Sequence, residues 1–474
     1  MAPARVLISA AHKSSGKTTL SIGLCAALSK AGCAVQPFKK GPDYIDPMWL
    51  SLASGRPCFN LDFYLTPPAE IAALFGKHAE GADLSLIEGN KGLYDGLDLK
   101  GSNSNAALAR LLGAPVVLVL DARGTIRGVA PLVLGYQAFD PEIRIGGVIL
   151  NRVGGARHEQ KLRAVIEHYT DVPVLGAVHE NARLAIEERH LGLMPSGEAE
   201  TAAATVEEVG HMVASQVDLD RLLEAAREAP PMARVPAPGA LRPPVARLRI
   251  GILRDRAFGF YYADDLERLT DGGAELVPID ALCDAELPAI DGLICGGGFP
   301  EVFIGELEAN VALRTALKRA IEGGLPVYAE CGGLMYLSRS ITWRDNRGEM
   351  VGVIPGDVVM HDKPQGRGYV RLRETGQGPW SSVDPDAQGV VCGHEFHYSG
   401  LENLGEVGFA YDVERGFGVD GRHDGVLVHN VFASYAHLRS VGGVHWTQSF
   451  LSFVERTRVG ASFTTQAAAG SATR

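Results

Sequence analysis

The segment Val6-Leu-Ile-Ser-Ala-Ala-His-Lys-Ser-Ser-Gly-Lys-Thr-Thr19 is an apolar run followed by Gly-Lys-Thr. The apolar run predicts a buried strand, and the residues after it predict an amphipathic helix. Gly16, Lys17 and Thr18 would then stand where that helix begins, which is the placement of a phosphate-binding P-loop. The strict motif has glycine where Ala11 stands, but the strand and helix around the loop still predict nucleotide binding.

The residue types in this loop suit a nucleoside triphosphate. Backbone N–H groups and the helix dipole favour phosphate, Lys17 can reach the β- and γ-phosphates, and the Thr18 hydroxyl can bind Mg²⁺. The predicted nucleotide-binding residues are Ser14, Ser15, Gly16, Lys17, Thr18 and Thr19. Phosphoryl transfer also requires a carboxylate at a strand end to hold the metal ion, and Glu88 closes the apolar run 84–87.

Two further segments place charged residues and glycines near predicted strand ends. Lys39-Lys-Gly-Pro-Asp-Tyr-Ile-Asp-Pro47 combines two lysines with Asp43 and Asp46, which suits either an acidic ligand site or an exposed turn of mixed charge. Glu88-Gly-Asn-Lys-Gly-Leu-Tyr-Asp-Gly96 is rich in glycine, which allows a ligand to approach the backbone closely.

The alternation of buried strands and helices occurs twice along the chain, which predicts two α/β domains. Strands are predicted over 6–9, 84–88, 116–121 and 147–151, and again over 248–253, 292–295 and 325–329. Residues 229–245 contain six prolines, which favour an extended linker. We therefore predict a P-loop parallel-sheet domain over 1–228, a linker over 229–245, a second α/β domain over 246–458 and a flexible tail over 459–474.

Composition predicts a soluble globular protein with more than one domain. The 474 residues are 46% hydrophobic and 21% charged, and they exceed the roughly 100–200 residues of one domain. A net charge of −11 argues against nucleic acid or anionic lipid as a partner, because both attract excess Lys and Arg. We expect a cytoplasmic protein, since no apolar run spans a membrane and the first residues lack a signal-peptide pattern.

Seven scattered cysteines without CxxC spacing predict neither disulfides nor a zinc site. One of them stands out by its context. The strand predicted over 325–329 leads into Glu330-Cys-Gly-Gly-Leu-Met-Tyr-Leu337, whose small residues allow a sharp turn into a helix. Cys331 on such an elbow is a candidate nucleophile, and His437 is the candidate base. Gly297 and Gly298 can supply N–H donors to an oxyanion, whereas His394 and His397 fit a structural role equally well.

The two halves together resemble the cobyrinate a,c-diamide synthase family, in which a dethiobiotin-synthetase-like ATPase is fused to a class I glutamine amidotransferase of flavodoxin-like fold. The resemblance covers nearly the whole chain, and the order of the motifs is more specific than any one of them. Besides the segments quoted above, it rests on Asn60-Leu-Asp62, Asn151-Arg-Val153, Glu188-Arg-His-Leu-Gly192, Gly393-His-Glu-Phe-His-Tyr-Ser399 and Ala433-Ser-Tyr-Ala-His437.

The resemblance implies that ATP phosphorylates a peripheral carboxylate of a tetrapyrrole and that ammonia released from glutamine attacks the acyl phosphate. It also implies that Lys17, Thr18 and Glu88 hold ATP with Mg²⁺, that Asn151 lies near the base, and that Cys331 and His437 hydrolyse glutamine. By the same resemblance, the synthetase site is lined by Asp43, Asp46, Leu93, Tyr94 and Asp95, and Tyr44 belongs to the same segment. Our own candidates for counter-charges to substrate carboxylates are Lys39, Lys40 and Arg56.

Two departures from the family pattern bear on these expectations. Many class I amidotransferases have a Glu two residues after the histidine, but Arg439 stands there, so the third member of the triad is missing or comes from elsewhere. Met48 and Trp49 occupy positions where related corrinoid enzymes tend to have a histidine. This keeps sirohydrochlorin, its nickel complex and sirohaem open as alternative substrates.

Other functions also remain open from the sequence. Cobyric acid synthase resembles this family in both halves but amidates other side chains, and the segment 39–47 favours the a,c-diamide synthases. A nucleotide-dependent P-loop switch without ligase activity would be supported by Lys13, but it would not need the elbow cysteine. The oligomeric state is open, with a homodimer among the options.

Overall fold

The computed structural model describes residues 4–181, 188–189, 192–196, 201–232, 247–383 and 388–471. The chain divides into two compact units, Met1–Pro238 and Gly239–Arg474. Residues 233–245 of the predicted linker lie outside the described residues. The start of that linker packs on the first unit, because Ala229 is buried and the Pro230 carbonyl accepts a hydrogen bond from the buried Arg5 guanidinium.

The first unit contains a seven-stranded parallel sheet. Its strands are β1 (Arg5–Ala10), β2 (Val35–Lys40), β3 (Phe59–Leu61), β4 (Leu84–Glu88), β5 (Val116–Asp121), β6 (Ile145–Val153) and β7 (Val174–His179), in the spatial order β3-β2-β4-β1-β5-β6-β7. Its helices are α1 (Lys17–Lys30), α2 (Ile45–Ser54), α3 (Pro68–Ala79), α4 (Asn105–Leu112), α5 (Val129–Phe139), α6 (Ala156–Tyr169), α7 (Ala202–Gln216) and α8 (Leu219–Arg227). A two-stranded ribbon consists of β8 (Glu188–Arg189) and β9 (Gly192–Leu193).

The strand order determines where the polar residues meet. β4 lies between β1 and β2, with Ile8 opposite Glu88 and Lys39 opposite the same glutamate. Because the three strands are parallel, their carboxyl ends lie at one edge of the sheet, where ligands bind in folds of this kind. The predicted bounds of β4 and β5 are confirmed, and β1 and β6 extend one or two residues further at each end.

The second unit is a mixed α/β structure. Its strands are β10 (Leu248–Leu253), β11 (Phe258–Phe260), β12 (Ala274–Ile279), β13 (Gly292–Cys295), β14 (Gly297–Gly298), β15 (Val327–Glu330), β16 (Ser338–Trp343), β17 (Asn346–Glu349), β18 (Ile354–Met360), β19 (Gly366–Glu374), β20 (Val390–His397), β21 (Ser399–Glu402), β22 (Gly408–Arg415), β23 (His423–Val428) and β24 (Val431–Ser434). Its helices are α9 (Ala263–Asp271), α10 (Ile304–Ala309), α11 (Val311–Glu322), α12 (Gly332–Leu337) and α13 (Trp446–Ser471), with a 3-10 turn at Pro300–Phe303.

The main sheet of this unit has nine strands in the order β12-β10-β13-β15-β24-β23-β22-β19-β20. The first five are parallel and the last four pair in antiparallel fashion. The predicted strand over 325–329 is shifted toward the carboxyl end, because Glu330 still pairs with Ser434 of β24. The fold class expected from the sequence, two α/β domains of which the first has a parallel sheet, is confirmed.

The sequence analysis expected residues 459–474 to form a flexible tail. Helix α13 continues through this segment as far as Ser471. Alanine has the highest helix propensity, and the segment contains Gln466-Ala-Ala-Ala469, so the scarcity of large apolar residues does not prevent helix formation. Every helix in the described part of the chain falls short of the length or apolarity that a membrane crossing requires.

Candidate active site

The loop between β1 and α1 has the backbone conformation of a phosphate-binding turn. Ser14 and Gly16 have positive φ angles of 62° and 87°. A Cβ atom at Gly16 would lie 2.2 Å from Nδ2 of Asn151, whose amide donates a 2.8 Å hydrogen bond to the Ser15 carbonyl. Ser15 is buried and its hydroxyl donates to the His12 carbonyl at 2.9 Å. Asn151 therefore fixes the shape of this loop.

Lys17 and Thr18 begin helix α1 beside the end of β4. The Thr18 hydroxyl donates a 2.6 Å hydrogen bond to Oε1 of Glu88, as expected if both face the same ligand. Burial lowers the pKa of Lys17, although the Glu88 carboxylate opposes this effect. The structure thus brings together the three residues that the sequence analysis assigned to MgATP.

A buried lysine joins this group from β2. The Lys39 ammonium donates to Asp46 and lies 3.1 Å from Oε1 of Glu88 and 3.8 Å from Oδ2 of Asp43. Burial opposes its charge, but the three carboxylates raise the pKa of Lys39 well above its usual value. The segment 39–47 is therefore part of the same site, and the alternative of an exposed turn is wrong for Lys39.

The oxygen atoms at this site fit a magnesium ion that arrives with a nucleotide. Glu88 is fully buried, and its Oε2 atom has no hydrogen-bond partner among the described residues. In the described ranges no three His, Cys, Asp or Glu side chains form a metal-binding group. Mg²⁺ commonly takes only one or two protein oxygens and completes its shell with phosphate and water. Thr18 and Glu88 provide that number of ligands.

The neighbouring positions differ in what their side chains can reach. Lys40 is buried with its ammonium 3.0 Å from Oδ1 of Asn90, and burial lowers the pKa of Lys40 to about 8. Tyr44 is buried at the start of α2, and Arg56, after α2, is half-buried. Trp49 is buried and donates its indole N–H to the Met194 carbonyl at 2.8 Å, which identifies it as a core residue.

The turn after β4 is only partly available to a ligand. Leu93 is fully buried. The Tyr94 hydroxyl donates to the Tyr136 carbonyl at 2.6 Å, and Asp95 accepts the Gly92 N–H at 2.9 Å. The sequence analysis expected all three residues to line the site, but only Asp95 is exposed.

A cavity of about 340 Å³ adjoins the loop on the side of Asn151. Its lining includes Gly16, Thr19, Asn151, Arg152 and Glu180. The guanidinium of Arg152 donates to the Ser14 carbonyl and to Asp121, both at 2.8 Å. The cavity therefore opens directly onto the phosphate-binding loop, on the side predicted for the base.

Cys331 occupies a strained turn between β15 and α12. Its φ and ψ angles are 44° and −101°, which is unusual for a residue other than glycine and is characteristic of a nucleophile elbow. The Cys331 N–H donates to the Ser434 carbonyl of β24 at 2.7 Å. His437 follows β24 by three residues and makes a side-chain hydrogen bond with Cys331. The predicted pair is therefore in contact.

The histidine is buried in a polar pocket that favours its protonated form. Burial alone would lower the pKa of His437, but hydrogen bonds with Cys331 and Glu330 raise it to about 10. His394 stacks on His437 with ring centroids 5.0 Å apart, and burial lowers the pKa of His394 well below its usual value. His397 instead stacks on Tyr435 at 4.0 Å. The histidine predicted from the sequence as the base, His437, is hydrogen-bonded to the thiol.

The predicted oxyanion glycines lie beside this pair. A Cβ atom at Gly297 would come 2.7 Å from Cε1 of His437, and one at Gly332 would come 2.9 Å from the Gly298 backbone nitrogen. The sequence analysis overlooked one close contact. Glu330 lies 3.0 Å from Nδ1 of His437, and the only sequence signal was its position immediately before Cys331.

We expect Gly333→Ala to destabilise the elbow, because its Cβ atom would lie 2.1 Å from the backbone oxygen of Cys295. Overpacking against backbone costs about 1–3 kcal/mol, so the midpoint of urea unfolding should fall. Gly305→Ala is the matched control, since outside its own helix turn and chain neighbours no described atom lies within 4 Å of its Cβ position. An unchanged midpoint for Gly333→Ala would contradict the close approach of α12 to β13.

Comparisons with known proteins agree with both units. Residues 7–193 match the CobQ/CobB/MinD/ParA nucleotide binding domain, and residues 249–441 match the CobB/CobQ-like glutamine amidotransferase domain. A cobyrinate a,c-diamide synthase of Magnetococcus marinus is 50% identical, over 95% of this chain and 97% of its own. Those of Methanosarcina acetivorans and Archaeoglobus fulgidus are 42% and 41% identical, over 92% of this chain in each case and 92% and 94% of their own. The chain therefore belongs to the cobyrinate a,c-diamide synthase family.

Proposed function

We propose that this protein uses ATP and glutamine to convert the a and c acetate carboxylates of cobyrinate into amides. One observation carries the proposal: a single chain combines a P-loop edge containing buried Lys39 and Glu88 with a Cys331–His437 pair on an elbow. The relatives that share 41–50% of its residues are named cobyrinate a,c-diamide synthase. These names favour cobyrinate over sirohydrochlorin or sirohaem.

In the first unit, the reaction begins with activation of a carboxylate. A substrate carboxylate oxygen attacks the γ-phosphorus of ATP, the bond to the β-phosphate oxygen breaks, and ADP and an acyl phosphate form. The N–H groups of the loop ending at Gly16 and the ammonium of Lys17 bind the phosphates. Thr18 and Glu88 hold Mg²⁺, which neutralises phosphate charge when it is bound with ATP.

Two further lysines in this site suit the charges of the reactants. Lys39 is kept protonated by Asp43, Asp46 and Glu88, so a positive charge is maintained beside the transferred phosphoryl group. Lys40 is buried but its ammonium is hydrogen-bonded to an uncharged amide, which leaves its charge available for a substrate carboxylate.

Ammonia then attacks the acyl carbon, phosphate departs, and a proton is lost to give the amide. The cavity beside Asn151 accommodates the base of ATP.

In the second unit, the Cys331 sulfur attacks the carboxamide carbon of glutamine. His437, which is protonated in the resting site and holds the proton of the Cys331 thiol, donates that proton to the departing nitrogen, so that ammonia and a glutamyl thioester form. The N–H groups around Gly297 and Gly298 stabilise the oxyanion of the tetrahedral intermediate. Water then hydrolyses the thioester, which releases glutamate and restores the thiol.

Product mass after incubation with MgATP and glutamine tests the substrate. Cobyrinic acid, sirohydrochlorin and sirohaem are supplied separately, and we expect two replacements of OH by NH₂ on cobyrinic acid only. Amidation of sirohydrochlorin or sirohaem in preference to cobyrinic acid would overturn the substrate assignment. ATP hydrolysis without amidation of any macrocycle would instead favour the nucleotide-dependent switch.

A further inference from the structure

The position that often supplies the third member of a Cys-His-Glu triad is occupied by a cation in this chain. Arg439, two residues after His437, is buried and donates from Nε to both carboxylate oxygens of Asp264, at 3.1 and 3.0 Å. Its guanidinium also lies 5.1 Å from the centre of the Tyr262 ring. A guanidinium has no acceptor atom, so Arg439 cannot accept a hydrogen bond from the histidine.

A carboxylate reaches His437 from a different element. Glu330, the last residue of β15, is 6% exposed, and its Oε2 atom lies 3.0 Å from Nδ1 of His437. The other oxygen, Oε1, accepts the Leu438 N–H at 2.9 Å and the Tyr328 hydroxyl at 2.5 Å. The carboxylate is therefore held at both oxygens, with one of them directed at the imidazole.

The strand pairing explains how adjacent residues can act on one ring. Glu330 lies opposite Ser434 in the parallel pair β15 and β24, three residues before His437. The positive φ of Cys331 breaks the alternation of side chains that a continuing strand would impose. As a result, Glu330 and Cys331 both contact His437, and because Nδ1 is bonded to Glu330, Nε2 remains for the thiol.

We propose that Glu330 is the positioning residue of the glutaminase site and takes the place of the carboxylate that is usually found two residues after the histidine. This inference rests on the proposed hydrolysis of glutamine by Cys331 and His437. Glu330 accepts a hydrogen bond from Nδ1–H of His437, which leaves Nε2 to receive and hold the thiol proton. It also stabilises the imidazolium that forms when the proton is transferred.

The charged and titratable neighbours of His437 determine the expected pH behaviour. Those that face it are Glu330 and Cys331 in direct contact, His394 stacked on the ring, and Arg439 paired with Asp264. Glu330 raises the pKa of His437, whereas a glutamine in its place carries no charge. The alkaline limb of the glutaminase rate should therefore move to lower pH in Glu330→Gln.

The test compares Glu330→Gln with the wild type. The glutamine can satisfy Leu438 and Tyr328 through its oxygen, but its NH₂ then faces Nδ1 and imposes the wrong tautomer. We expect kcat for glutamine hydrolysis to fall on the order of 10²–10⁴-fold, with KM within about threefold, while ammonia-dependent amidation is retained. A folded Glu330→Gln with kcat within threefold of wild type and an unshifted pH profile would overturn the proposal.

Tyr328→Phe provides a second test of the proposal, and this test does not depend on whether Glu330→Gln folds. It keeps the carboxylate and removes only one donor from Oε1, so kcat should fall about tenfold or less and the alkaline limb should not move to lower pH. A downward shift like that expected for Glu330→Gln would contradict the inference. If the wild type itself does not hydrolyse glutamine, the proposed function fails and not the placement of Glu330.

Discussion

Cys331→Ser should lose glutamine-dependent amidation by about 10³-fold or more while keeping amidation driven by ammonium salts. Serine is a far weaker nucleophile than cysteine at neutral pH, and removing the nucleophile of such a site removes most of the catalysis. The phosphoryl-transfer residues belong to the other unit and are unchanged. The measurement is the rate of amide formation with glutamine and, separately, with ammonium chloride as nitrogen source.

The exposed Cys283 provides the matched control for this substitution. Cys283→Ser should retain both activities, because its side chain lies outside the glutaminase site. Full glutamine-dependent activity of Cys331→Ser would exclude this thiol as the nucleophile. Loss of both activities would show that the substitution disturbs more than glutamine hydrolysis, contrary to the division of chemistry between the two units.

Lys17→Ala should abolish amidation with either nitrogen source. The buried ammonium lies at the start of α1 beside Glu88, and its loss removes a charge that compensates the β- and γ-phosphates. We expect kcat/KM for ATP to fall on the order of 10²–10³-fold. Glutamine hydrolysis in the absence of the macrocycle should persist, because Cys331 and His437 are untouched.

Lys30→Ala is the control at the opposite end of the same helix. Its side chain is 60% exposed and pairs with Glu207 on the surface, so substitution should change amidation by less than about twofold. Both variants are compared in ATP consumption and in amide formation. Unchanged amidation by Lys17→Ala would remove the P-loop from the mechanism, whereas an equal loss in Lys30→Ala would point to helix destabilisation.

Much of the architecture could be read from local sequence. Buried parallel strands are continuous apolar runs, and for this reason β4, β5, β10 and β13 have the bounds that were predicted. The Gly-Lys-Thr motif and the elbow cysteine were also identifiable, because each depends on a strand that turns directly into a helix. The motif order was sufficient to predict the family.

Other features were not accessible because they depend on which strands become neighbours. β2 pairs with β4, and this places the Lys39 ammonium among three carboxylates. From the sequence alone, the segment 39–47 could equally have been an exposed turn. Leu93, inside a family motif, is fully buried, which the motif by itself did not indicate.

The sequence by itself therefore determined the two α/β domains and the phosphate-binding loop and indicated the candidate nucleophile, since these follow from short-range patterns of apolar residues, glycine and turn geometry. The tertiary structure decided which charges meet. The pairing of β15 with β24 brings Glu330 to His437, and it brings together the buried Arg439 and Asp264, although the guanidinium of Arg439 has no acceptor atom for the histidine. Electrostatic interactions act over a few ångströms in space, and distance along the chain does not predict them.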